Sequence, residues 1–455
     1  MISREGPAIS VSDINSDGNN DIFFGSASFS KSELYLGTDD GNYILKKNDF
    51  FDSDFLAEDV DAIFFDADGD ADLDLYVVSA GNEFPSTAKS IRDRLYIWEN
   101  KNYVKKDNLP DIGQHGSVVT SYDYDNDGDN DLFIGGRVIS GKYGYSPKSY
   151  FLNNNGKGIF SVDSVNSFSN DYGMITDAIW DDIDNDGLKD LITCGDWSGI
   201  NIYKNRDGIM SKDTSFIGSQ LKGLWFSIHL VDLNNDGKKD IVAGNFGENN
   251  KLNVDRYNPL KMYFGDFDDN NSIEQIITFK KNGKEFSISN KDELSKQLNY
   301  ISKKFVSYKE FAGLEVNEIF TDEILKKNNL LEVNELRSLV LMSDSTKYRV
   351  SILPKISQIS PIKDIQHLDF NNDSNYDLMI FGNMTKVAPY FGSLDSNYGI
   401  LLRGDGEGNL SYVDQSKSGL KIRGDVSKVL PLDKNRSKFV IGINDKNISI
   451  ISSND

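Results

Sequence analysis

The stretch YDYDNDGDNDLFIGG, Tyr122 to Gly136, sets Asp123, Asp125, Asp127, Asp129 and Asp131 at every second position and then turns apolar. Two carboxylates about 5 Å apart at an effective dielectric near 20 repel by roughly 3 kcal/mol. A dication held among them removes that repulsion. Acids at positions 1, 3 and 5, a small residue at 6 and an acid at 9 make an oxygen-rich loop, and hard cations such as Ca2+ bind through oxygens alone. Gly128, at position 6, lets the chain turn back sharply around an ion. An EF-hand closes on a Glu at position 12 and is flanked by helices. Here the closing acid is at 9, and the flanking runs are β-branched and aromatic, so the ion ties a turn between two strands. That pattern predicts a structural clamp, not a calcium switch.

The loop recurs along the chain. Good copies start at Asp13, Asp66, Asp123, Asp182, Asp232 and Asp369, each reading D-x-[DN]-x-D-[GAS]-x-x-D before an apolar run. The first five are separated by 53, 57, 59 and 50 residues. A degenerate copy, DFDDNNSIEQII, starts at Asp266, and a second, LDKNRSKFVIGIN, starts at Leu432 and has lost most of its acids. Between the loops, LYLGTDDGNYI, YFLNNNGKGIF and LLRGDGEGNL join short apolar runs through glycine-containing turns, the signature of hairpins.

A period of that length fits four short strands, one blade of a β-propeller, and a closed ring leaves no long exposed sheet edge. The expected fold is all-β: a seven-bladed propeller whose blades start at Asp13, Asp66, Asp123, Asp182, Asp232, Asp369 and Leu432. The Asp266 loop follows Asp232 too closely for its own blade and is assigned to the fifth, between its third and fourth strands. The last blade looks short of an outer strand. One stretch changes period. In SNKDELSKQLNYISKKF, Ser289 and Asp292 have capping-box spacing, and Leu294, Leu298, Ile301 and Phe305 fall on one helical face. A further helix is expected near Thr321. The expected division is blades one to five over 1–280, a helical insertion over 281–345 and blades six and seven over 346–455.

Composition narrows the partners. With 49 basic and 71 acidic residues the net charge is −22, which disfavours nucleic acid and anionic membranes and leaves cations or basic proteins. No apolar run approaches the roughly 18–20 residues of a membrane-crossing helix. The single cysteine, Cys194 in LITCG, is expected to be a small buried hydrophobe. The N-terminus carries no apolar leader segment, and both ends begin or stop abruptly in strand pattern, as in a piece of a longer protein.

The loops followed by FGSA, IGGR, AGNFG and FGNM resemble FG-GAP repeats, also described as VCBS repeats, which build the propeller of integrin α subunits and of many bacterial surface proteins. GGRVISGKYGYSPKSYFLNNNGKG and NPLKMYFGDFDDNNSIEQIITF are similar to the long FG-GAP proteins of Bacteroidetes-type bacteria, related to cartilage acidic protein and UnbV. The resemblance implies calcium ligands at the side chains of positions 1, 3, 5 and 9 and at the carbonyl of position 7. Carried over, these are Asp13, Asn15, Asp17, Asn19 and Asp21; Asp66, Asp68, Asp70, Asp72 and Asp74; and Asp123, Asp125, Asp127, Asp129 and Asp131. The later loops supply Asp182, Asp184, Asp186, Leu188 and Asp190; Asp232, Asn234, Asp236, Lys238 and Asp240; and Asp369, Asn371, Asp373, Asn375 and Asp377. Weaker candidates are Asp266, Asp268, Asn270, Ser272 and Glu274, where Asn271 stands at the glycine position; Ala71 and Ser374 replace the glycine in two good loops. The Leu432 loop is expected to bind nothing.

Extracellular modules of this kind hold Ca2+ with dissociation constants near 10⁻⁴–10⁻³ M, which fill where calcium is millimolar. The expected setting is therefore extracellular, cell-surface or periplasmic, and the expected role a non-catalytic binding or assembly module for a protein or glycan. The alternative is a calcium-dependent polysaccharide lyase, with a base drawn from Arg137, Lys142, Tyr143 and Tyr145 in GRVISGKYGYSP. That loop, and EFPSTAKSIRDR from Glu83 to Arg94, are the candidate contact surfaces. The three histidines are expected to be structural: His229 and His367 in strands just before acidic loops, His115 in a polar turn. No GxSxG, HExxH or Walker-type motif is present.

Overall fold

The computed structural model describes residues 6–81, 88–112, 115–169, 171–344, 347–387 and 392–452. It is an all-β fold of eight antiparallel sheets, seven with four or more strands. In seven sheets the strands are laid down from the inside outwards. The first strands are Ile9–Ser12, Glu58–Phe65, His115–Tyr122, Met174–Asp181, Ser227–Val231, Ile362–Leu368 and Val426–Pro431. Each packs on the next, and the last packs back on Ile9–Ser12, so the sheets close a ring. Ile9 and Ile22 of sheet one share a core with Leu432 and Val440 of sheet seven. Sheet seven has three strands among the described residues.

Polar side chains fasten neighbouring first strands. Asp61 Oδ2 accepts from Val119 N–H (3.0 Å), Asp177 Oδ2 from Ile228 N–H (2.8 Å) and Asp364 Oδ2 from Val429 N–H (2.9 Å). Asp61, Asp177 and Asp364 also line an axial cavity of about 270 Å3 with Lys428, whose ammonium lies 3.3 Å from Asp61 Oδ1. Burial raises the Asp177 carboxyl to about 6 and that of Asp364 to about 7, while Lys428 is held charged by the carboxylates around it.

The insertion differs from the expected 281–345. It lies between Asp240–Gly244 and Leu339–Asp344, the second and third strands of sheet five, and contains a full sheet of its own. That sheet orders Lys284–Ser287, Glu274–Lys281, Leu260–Gly265 and Asn329–Val333. The Asp266 loop belongs to it, and so does not lie between the third and fourth strands of blade five. Leu339–Asp344, expected in the helical insertion, and Lys347–Ile352 are those third and fourth strands. The helical part is as the period predicts. Leu294, Leu298, Ile301 and Phe305 are buried in one cluster over Phe267 and Ile276. The cap is one residue later than expected: Asn290 accepts from Asp292 and Glu293 N–H and starts helix Lys291–Gln297, because Glu293 reaches back to the Asn290 N–H. Thr321 caps helix Asp322–Lys327.

The inserted sheet docks on the ring. Leu260, Met262, Phe264 and Val333 share a core with Met174 and Trp197 of sheet four, Leu394 between the second and third strands of sheet six and, at its edge, Tyr143 and Tyr145. No helix among the described residues is long and apolar enough to cross a membrane.

Candidate metal centres

Every acidic loop joins the first strand of its sheet to the second, and the acid at position 9 is the first residue of that second strand: Asp21, Asp74, Asp131, Asp190, Asp240 and Asp377. The turn is built by the acids themselves. Asp13 Oδ1 accepts from Asp17 N–H (3.1 Å) and Oδ2 from Gly18 N–H (2.8 Å). The same pair of bonds is made by Asp123, Asp182, Asp232 and Asp369. The position-5 side chain accepts the N–H of position 7, as Asp17 does from Asn19. Position 6 has a left-handed backbone throughout, and Ala71 (φ +70°) and Ser374 (φ +66°) adopt it as the glycines do. The replaced glycines therefore leave the turn intact.

These bonds point the carboxylates inwards. In Asp66–Asp68–Asp70, Asp123–Asp125–Asp127, Asp182–Asp184–Asp186 and Asp266–Asp268–Glu274, one oxygen from each residue lies within 4.8 Å of the others. In loops five and six, position 3 is an amide that bonds the position-5 acid, as Asn234 does to Asp236 and Asn371 to Asp373.

Position 9 has a second task that its place in the motif does not reveal. Asp74 is fully buried; Oδ2 accepts from Ala67 N–H (2.8 Å) and Oδ1 from Trp98 N–H (2.8 Å) on the third strand. Asp21, Asp240 and Asp377 make the same two bonds, so this acid staples the loop to two strands. Its signal was present in the sequence: position 9, like position 1, is acidic in all seven loops that keep their acids.

Burial pushes these carboxyls up, to about 6 for Asp21 and Asp240, about 7 for Asp74 and about 8 for Asp131, with the neighbouring loop acids adding to the effect. Asp72 and Asp129, at position 7, are pushed to about 6 for the same reasons. Several carboxylate oxygens are shielded from solvent without a hydrogen-bond partner: Asp68 Oδ1, Asp72 Oδ1, Asp129 Oδ1, Asp131 Oδ2 and Asp268 Oδ1. A convergent set of hard oxygens, some buried and unpaired, fits a hard divalent cation. The Leu432 loop is closed by Asp433, which accepts from Ser437 N–H, and by Arg436, whose guanidinium reaches Gln366 Oε1 and the His367 carbonyl.

Residues 182–243 match the family described as FG-GAP-like repeat. This FG-GAP-like segment runs from the fourth loop into the second strand of sheet five. No curated protein matches the chain. Among solved structures, YCF48 from Cyanidioschyzon merolae is similar at 10% identity over 98% of this chain and 95% of that one, with a TM-score of 0.44. Sqt1 from Saccharomyces cerevisiae is similar at 10% identity, covering 100% and 98% with a TM-score of 0.45. Sqt1 from Chaetomium thermophilum, bound to the N-terminus of ribosomal protein L10, gives 11%, 99%, 97% and 0.46.

Most of the side chains considered as bases are engaged inside the protein. Arg137 and the Tyr143 hydroxyl both bond Asp196 Oδ2, and Trp197 Nε1 donates to Tyr143 (3.0 Å). Burial drives the Tyr143 phenol well up. The Tyr145 ring packs edge-on against Phe264, and its hydroxyl accepts from Asn329, so GRVISGKYGYSP is a seat for the inserted sheet; Lys142 is exposed. Arg94, expected at a contact surface, is buried against Asp59, whereas Arg92 pairs with Asp111 at the surface. Glu83 lies outside the described residues. His115 opens a strand and not a turn. His229 Nε2 and His367 Nδ1 are 2.7 Å apart, joining sheets five and six. Cys194 is fully buried, as expected.

Proposed function

We propose that the chain is a seven-bladed FG-GAP-type β-propeller whose blade loops hold Ca2+ as structural clamps. In this reading the ring works outside the cytoplasm as a non-catalytic binding or assembly module for a protein or glycan. The observation that carries it is the recurrence, at the same end of successive sheets, of acids converging within 4.8 Å, with shielded carboxylate oxygens that lack a partner. Positions 1, 3, 5 and 9 supply side-chain oxygens and position 7 its carbonyl. The staple from position 9 to the third strand transmits each ion's hold to the sheet. Arg137 and Tyr143 are committed to Asp196 and Tyr145 to the inserted sheet, which leaves Lys142 as the exposed member of the set on which a lyase reading rests and supports the non-catalytic reading.

Incubation with glycan arrays and with acidic polysaccharides, in calcium and in chelator, tests the role. Calcium-dependent retention of a ligand with no product is expected. Accumulation of unsaturated sugar products would overturn the non-catalytic assignment.

A further inference from the structure

The fourth loop departs from its sisters in one respect. In loops one, two, five and six, the second oxygen of the position-9 acid accepts the N–H of position 2, from Ile14, Ala67, Leu233 and Phe370. In loop three that oxygen, Asp131 Oδ2, is buried and has no hydrogen-bond partner. In loop four it is taken by an ammonium: Lys204 Nζ lies 2.6 Å from Asp190 Oδ2 and 2.9 Å from Asp184 Oδ2. Asp190 is fully buried, and the Lys204 side chain is 18% exposed.

The lysine is placed by the sheet. It sits on the third strand, Asn201–Arg206, immediately before Asn205, whose N–H is stapled to Asp190 Oδ1 (2.9 Å). The corresponding residues of the other sheets are Leu36, Ile97, Asn153, Met342 and Arg403, as the staples to Gly37, Trp98, Asn154, Ser343 and Gly404 define them. Four of these are uncharged, and Arg403 is exposed. Among the described residues, only in loop four does a cationic side chain bridge positions 3 and 9.

Two cations bound to the same pair of oxygens repel each other. We propose that Lys204 is a built-in cation that fills the fourth loop, so that this loop takes no Ca2+ while loops two and three each take one. The inference rests on the calcium reading of the loops and assigns their occupancy residue by residue. Asp182, Asp184 and Asp186 still converge in loop four, so removing the ammonium leaves a loop able to accept an ion.

Elemental analysis after dialysis against calcium chloride at about 1 mM, the range of extracellular modules, counts the ions per chain. Circular dichroism of each protein checks folding. Lys204→Met is expected to bind one more ion than the wild type. Asp184→Asn is expected to leave the count unchanged, whereas Asp125→Asn in loop three loses one. No gain in Lys204→Met, or a loss of one ion in Asp184→Asn, would overturn the assignment while the other loops still bind. Calcium on none of the proteins would overturn the calcium reading and this inference with it.

Discussion

The position-9 aspartate is the residue on which the loops turn, because it closes the oxygen set and holds two strands. Asp74→Ala leaves the Ala67 and Trp98 N–H groups without their acceptor. Each buried orphan costs about 1–3 kcal/mol, so a loss of about 3 kcal/mol is expected in urea unfolding even in chelator, and a larger one in calcium. A clamp that acted only through the ion would show no loss in chelator. The left-handed turn gives a change of opposite sign. Ala71 holds φ +70°, so Ala71→Gly is expected to stabilise the protein by about 1 kcal/mol in the same measurement. The histidine pair gives the pH dependence. His229 and His367 are held well below their usual value, His367 at about 4, because burial and the nearby Arg436 and Lys239 disfavour the imidazolium. A depressed folded value means stability is fully present above about 6.5 and is lost as pH falls towards 4. His367→Gln should flatten that acid limb; an unchanged limb would show that other groups cause it. The acids and their spacing were legible in the sequence, but the hydrogen-bond partners of position 9 and of His229 were not, since they sit on strands remote in the chain.

At the scale of elements, the first and second strands of each sheet were plain, because the acidic loop between them marks both ends. The insertion was legible only in its helices, where Leu294, Leu298, Ile301 and Phe305 show the 3.6-residue period. Its four strands alternate like blade strands, and nothing local to Leu260–Gly265 says that its partners are Glu274–Lys281 and Asn329–Val333 rather than the ring. For the same reason Leu339–Asp344 and Lys347–Ile352 were not recognisable as the outer half of sheet five. At the joint between sheets one and two, Asp59 accepts the Ser26 N–H of sheet one (3.2 Å) and forms a buried ion pair with Arg94 of its own sheet, the Arg94 and Asp59 side chains being 6% and 1% exposed. Removing one partner leaves the other charge buried and unpaired, so Asp59→Ala is expected to cost about 3–5 kcal/mol. A loss below 1 kcal/mol in urea unfolding would show the pair to be an ornament of the joint.

For the whole molecule, the sheets close into a ring through their first strands, and the loops all lie at the same end of those sheets. If the loops hold Ca2+, the ring's stability is linked to calcium by mass action. A site at tenfold excess of ion over its dissociation constant adds about 1.4 kcal/mol. Two or more such sites make up a large share of an ordinary domain's 5–15 kcal/mol. Thermal unfolding of the full chain, first in millimolar calcium and then after chelation, is the most direct measurement. The midpoint is expected to fall by several degrees on chelation and to return when calcium, but not sodium, is restored. An identical midpoint in calcium and in chelator would contradict the account.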